Sequence, residues 1–94
     1  MEEYKVLAIS TCHITIKDSA TLNKKSKGLG KHMILSRDTG WFIKLYEELE
    51  YNLKSEFSPS LIKIITFAHG NGYKMIELDA DATEYPKLFE VFDW

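Results

Sequence analysis

The chain reads as a small α+β domain, a two-layer sandwich in which a mixed sheet of about four strands carries two helices in the order β-α-β-β-α-β. Three observations lead there. The apolar run Val6-Leu7-Ala8-Ile9 has strand length and stops abruptly at Ser10-Thr11-Cys12-His13. Ser58-Pro59 opens a helix, with the serine as N-cap and the proline at the first helical position. Asn71-Gly72 then turns the chain into a second apolar strand, Tyr73 to Leu78.

Taken in order, Val6 to Ile9 shows no polar alternation, which predicts a strand covered on both faces, interior rather than edge. Thr15-Ile16-Lys17-Asp18 has the spacing of an N-cap hydroxyl with a carboxylate three residues on, so a helix is expected near Ile16 to Lys25, with Ile16, Ala20 and Asn23 on one face. It should end near Gly28, in the basic loop Asn23 to His32. The GLGK within that loop lacks the spacing of a phosphate-binding loop, the preceding strand and the following Ser or Thr.

Met33 to Ser36 and Trp41 to Tyr46 flank Arg37-Asp38-Thr39-Gly40, which suits a hairpin with a left-handed residue at Gly40. A helix from Trp41 to Lys54 competes, through Leu45, Leu49 and Leu53, and Glu47 to Leu53 stays open between helix and loop. From Pro59 to His69, Leu61, Ile62, Ile65 and Ala68 form the stripe expected to be buried. The last strand ends at Asp79-Ala80-Asp81. Laid parallel beside the first, it brings those aspartates to the same sheet edge as Ser10 to His13. The closing segment Tyr85 to Trp94 is apolar enough, at Leu88, Phe89, Val91, Phe92 and Trp94, to pack back on the domain.

The 94 residues, 45% hydrophobic and 13% aromatic, suffice for one core and one domain, residues 1–94. No apolar run approaches the roughly eighteen residues of a membrane span, and Met1-Glu2-Glu3-Tyr4 lacks the basic start of a secretory signal, so a cytoplasmic location is expected. A lone cysteine, Cys12, can form neither an internal disulfide nor a zinc spacing. Residues 1–44 hold eight Lys/Arg against four Asp/Glu, whereas residues 45–94 hold four against ten. That asymmetry gives either ordinary solvated faces or a docking surface.

The start VLAISTCHIT, the central GWF, the strand end LDAD and the final Asp93-Trp94 together resemble the DUF5983-like family of short domains of unknown function found on phages, plasmids and genomic islands. The family pattern reads VLSTAHIT, GWF, LDRD and YDW in the same order. This chain departs from it with Cys12 for alanine, Ala80 for a basic residue and Phe92 for tyrosine. The resemblance implies a mobile-element accessory gene, and it brings no activity with it.

His13, at a strand end beside hydroxyls, is a candidate general base together with Asp79 and Asp81. Equally, it can cap a turn, one ring nitrogen on a backbone carbonyl and the other on Asp79 or Asp81. Asp79 and Asp81, joined by Glu77 or His13, are also the candidate ligands for a hard cation such as magnesium. That site would suit phosphodiester or nucleotide hydrolysis, with the lysine loop drawing in the anion. Cys12 has no oxyanion glycine pair beside it, and Ser10 and Thr11 lack a nucleophile elbow. The balance favours a non-enzymatic module without a cofactor, docking on another protein of the host or the mobile element through Ser10, Thr11, His13, Trp41, Asp79, Asp81 and Trp94. The lysines carry no interleaved aromatics, which argues against nucleic acid.

Overall fold

The computed structural model describes residues 2–27, 34–45 and 56–93. Its elements are β1 (Val6–Ser10), a 3-10 turn (Thr11–His13), α1 (Ile16–Ser26), β2 (Ile34–Arg37), β3 (Gly40–Lys44), α2 (Pro59–Gly70) and β4 (Met75–Asp79). The α+β class, the mixed four-stranded sheet and the order β-α-β-β-α-β are therefore as the sequence predicts. Residues 47–53, where helix and loop compete, lie outside the described residues.

The sheet order is β1-β4-β3-β2. β4 runs parallel to β1, with Ser10 opposite Asp79, and antiparallel to β3, with Gly40 opposite Asp79. β1 is thus an edge strand, contrary to the interior position predicted from its apolar run. The register explains the difference. Leu7, Ile76, Ile43 and Ile34 form one row, with Ile9, Leu78 and Trp41 in the next on the same face, and all but the partly buried Leu7 lie in the core. On the opposite face Ala8 lines up with Glu77, Phe42 and Leu35. Here Val6 is 44% and Leu35 54% exposed. Val6 and Ala8 are apolar without being covered, which a small sheet with one helical layer tolerates.

α1 begins with the capping box foreseen at Thr15 and Asp18: the Thr15 side chain accepts from the Asp18 N–H, and the Asp18 carboxylate accepts from the Thr15 N–H. The face shared by Ile16, Ala20 and Asn23 is exposed, and Asp18, Ser19 and Leu22 are the buried residues. α2 starts at Ser58 as predicted, with Leu61, Ile64, Ile65 and Ala68 buried. Ile62 is only partly covered, and Ile64 replaces it in the stripe. Each fully buried Leu or Ile contributes about 1.5–3 kcal/mol, so this face of α2 against the sheet is a main source of stability.

The two helix starts are tied together. Asp18, 1% exposed, also accepts from the backbone N–H of Ser58 at 2.8 Å and from its hydroxyl. One carboxylate thereby serves both N-termini, where negative charge is favoured by the helix dipoles.

Two glycines carry specific constraints. Gly72, with φ of 81°, makes the turn after α2 as expected. Gly40 does not adopt the left-handed conformation predicted for it. Its requirement is space: a Cβ there would stand 1.7 Å from the carbonyl oxygen of Leu78 on the neighbouring strand.

Candidate functional site

Parallel pairing of β1 and β4 brings their carboxyl ends together, and the β2–β3 turn reaches the same edge. Between them opens a cleft of about 950 Å³. One wall is Ser10, Thr11 and Cys12; the hairpin from Arg37 to Trp41 forms another; Ala80, Ala82 and Glu84 follow β4; Asn23 of α1 and Val91 to Asp93 close the ring. The size is that of a site for a small molecule or a few side chains of a partner.

The tail from Thr83 onward makes this cleft by wrapping over the end of β1. The Ser10 N–H donates to the Thr83 carbonyl at 3.1 Å, and the Phe92 N–H donates to the Cys12 carbonyl at 2.7 Å. Phe89 is the anchor, buried against Phe67 and His13 with ring centroids 5.5 and 5.8 Å away. The closing segment does pack back, yet Leu88 and Val91 remain exposed. Trp94 lies outside the described residues.

His13 is fully buried, and the expected pairing with Asp79 or Asp81 is not formed. Its Nε2 accepts from the Tyr85 N–H at 2.8 Å, and its Nδ1 lies 2.8 Å from the Glu90 carbonyl oxygen. A nitrogen that accepts from an amide carries no proton, so the proton sits on Nδ1 and is donated to Glu90. The imidazole pins two points of the tail to the 3-10 turn. That is the loop-holding role, with the Tyr85 amide in place of a carboxylate.

Asp79 is engaged elsewhere. Its carboxylate accepts from the Thr39 hydroxyl at 2.7 Å and the Asp81 N–H at 2.9 Å, and it meets the Arg37 guanidinium at 3.2 Å. The Asp81 N–H foremost, then Thr39 and the Arg37 charge, hold its carboxyl below the ordinary value of 3.8. Arg37 also pairs with Glu77 and lies over the Phe42 ring, so this cluster fastens the hairpin to β4. Among the described residues, no three His, Cys, Asp or Glu side chains converge as a metal centre.

Cys12 lines the cleft and donates its thiol to Glu84 Oε1 at 3.3 Å. Burial first, and the Glu84 carboxylate against the opposing Ser10 contact, push the thiol up, which keeps it protonated and weakly nucleophilic. Ser10 is buried, its Oγ accepting from the Cys12 N–H. Trp41 is only 8% exposed, and its indole N–H donates to Asn23 Oδ1 at 2.9 Å. Of the sequence-predicted contact residues, Ser10, Thr11 and Trp41 line the cleft, whereas His13, Asp79 and Asp81 are not among its lining residues. Glu84, Asp38 and Asp93 are not among the candidate site residues that the sequence offers. Only the folded tail and hairpin bring them to this edge.

The family model described as "Family of unknown function (DUF5983) C-terminal domain" matches residues 6–94. The chain belongs to this family. No curated protein and no solved structure matches the chain. The DUF5983 match covers every wall of the cleft, from Ser10 to Asp93. No helix among the described residues is long and apolar enough to cross a membrane.

Proposed function

We propose that this DUF5983 domain is a non-catalytic module that binds another protein at the carboxyl edge of its sheet. The observation that carries the reading is the state of the reactive side chains beside the cleft. Both ring nitrogens of His13 are committed to backbone, the Asp79 carboxylate is held by Thr39, Asp81 and Arg37, and the Cys12 thiol is kept protonated. Each holds the scaffold, and none stands as a base or nucleophile over the cleft. What remains is a shaped opening on a rigid sheet edge, suited to recognition.

The setting that goes with this reading is cytoplasmic, with the domain as an accessory factor of a mobile genetic element acting on a host protein, including a defence component. Its support is the VLAISTCHIT, GWF and LDAD pattern. The competing metal-dependent hydrolase joins Asp79 and Asp81 through Glu77 or His13; the His13 ring is bonded to Tyr85 and Glu90, and Glu77 is paired with Arg37.

The test pairs affinity capture with an activity control. Wild-type protein and a Thr11→Arg variant, whose long side chain fills the cleft, are used as bait in a host extract. A protein retained by the first and lost by the second supports the module. Magnesium- or manganese-dependent hydrolysis of a phosphodiester by the purified protein, abolished by Asp79→Asn, would overturn it.

A further inference from the structure

The lining of the cleft says which kind of segment it takes. Its lining includes apolar groups, the methyls of Ala80 and Ala82 with Val91 and Phe92. Its charged groups are unequal in sign. Arg37 is the only cation among the described lining residues, and its guanidinium is already engaged with Glu77 and Asp79. Asp38, Glu84 and Asp93 stand on three different walls, the hairpin turn, the loop after β4 and the tail. No described cation pairs with any of them. Glu84 has a thiol as its partner, a weak donor.

We infer that the cleft receives an extended segment of a partner protein bearing Arg or Lys, its aliphatic stem against Ala80, Ala82 and Phe92 and its cationic head toward Asp38, Glu84 and Asp93. This rests on the protein-binding reading above and gives that reading a partner chemistry. A lining that combines apolar groups with carboxylates complements a side chain that is itself apolar along its stem and positive at its tip. An acidic or phosphorylated segment would instead meet three carboxylates that no described cation pairs. The planar guanidinium has the further option of two parallel bonds to one carboxylate, as well as bonds to the Thr11 hydroxyl and backbone carbonyls of the lining.

The test uses a defined probe. ¹⁵N-labelled protein is titrated with the pentapeptide Gly-Arg-Leu-Arg-Gly, and in parallel with the same peptide carrying citrulline, which keeps the shape of arginine and removes its charge. The inference expects saturable shifts at the amides of Thr11, Cys12, Thr39, Ala82 and Glu84 with the arginine peptide. It expects at least tenfold weaker binding of the citrulline form. The double variant Glu84→Gln/Asp93→Asn should weaken the arginine peptide at least tenfold without changing the spectrum elsewhere, and Asp38→Asn, on another wall, should act in the same direction. Shifts that fail to saturate, that map away from the cleft, or that are equal for citrulline would overturn the basic-segment assignment.

The capture experiment separates that failure from failure of the module itself. A partner lost by Thr11→Arg yet retained by Glu84→Gln/Asp93→Asn leaves the module standing and removes the basic segment. No partner for wild type removes both.

Discussion

Asp18 and His13 are both sealed from solvent and both hold the backbone of a segment far along the chain, but they join parts of very different character. Asp18 links two regular elements, closing the capping box of α1 and accepting from Ser58 at the start of α2. His13 links the 3-10 turn to an irregular tail, through Tyr85 and Glu90. Around Asp18 the chain on either side continues into helices that bury Leu22, Leu61 and Ile65. Around His13 the tail adds one anchor, Phe89, with Tyr85, Leu88, Glu90 and Val91 exposed. The first node should therefore carry global stability, and the second a local one, because a segment with a single buried side chain among its described residues can detach without the sheet and helices coming apart.

The largest effect is expected at Asp18. Replacing it by alanine leaves the N–H groups of Thr15 and Ser58 and the Ser58 hydroxyl without their acceptor. Bonds to a charged group are worth about 1.5–3 kcal/mol, and loss of the cap adds about 1 kcal/mol, so Asp18→Ala should cost roughly 3 kcal/mol in urea unfolding. Asp18→Asn keeps one acceptor oxygen and should recover part of that. The loss should appear across α1 and α2 together in amide exchange. A loss confined to residues near Thr15 would break the claim that this node is global.

A smaller and more local effect is expected at His13. His13→Ala removes an acceptor from the Tyr85 amide and a donor from the Glu90 carbonyl, at about 1 kcal/mol for each bond plus the cavity left beside Phe89. The cost is capped by the tail's own detachment, since a released tail needs neither bond. Exchange protection should fall at Tyr85 and Phe92 and persist at Leu61 to Ala68. In the wild type, ¹⁵N spectroscopy should show the proton on Nδ1. A ring found protonated on Nε2 alone would contradict the assigned bonds, and equal loss of protection in α2 would erase the contrast with Asp18.

The two nodes also differ in how far the sequence discloses them. The Thr15–Asp18 box, the Ser58-Pro59 start and the Asn71-Gly72 turn are each decided by residues within about four positions, where local chemistry is nearly sufficient. That Asp18 also reaches Ser58, forty residues on, is a tertiary fact with no local signature. The alignment of strand ends follows from the parallel pairing of β1 and β4, and that much of the site was legible. The partners of His13 were not, because backbone amides and carbonyls exist at every position and sequence does not say which will arrive. The edge position of β1 was hidden for a related reason. Val6 and Ala8 look like core residues in a row, whereas the register turns them to the open face. Gly40 was located correctly as a constrained position, but its constraint comes from Leu78 on another strand.

The smallest effect, and the one that sharpens the comparison at the protein surface, belongs to Asp79. Its carboxyl is held below 3.8 by the Asp81 N–H, by Thr39 and by Arg37, so the ionised form is favoured in the folded chain over the unfolded one. A lowered folded value means that the contribution is fully present above the unfolded value and is lost as pH falls through the folded one. The melting difference between wild type and Asp79→Asn should accordingly be flat from pH 8 to about pH 5 and should close only below 3.8. Thr39→Val removes one of the two hydrogen bonds to Asp79 Oδ1 and should move the Asp79 carboxyl back toward 3.8, read from its carboxyl ¹³C shift, while leaving the His13 ring signals unchanged. Movement of both together would mean that the hairpin fastening and the tail fastening are one unit. Independent movement would place them as two separate walls of the same cleft, each able to shift without the other.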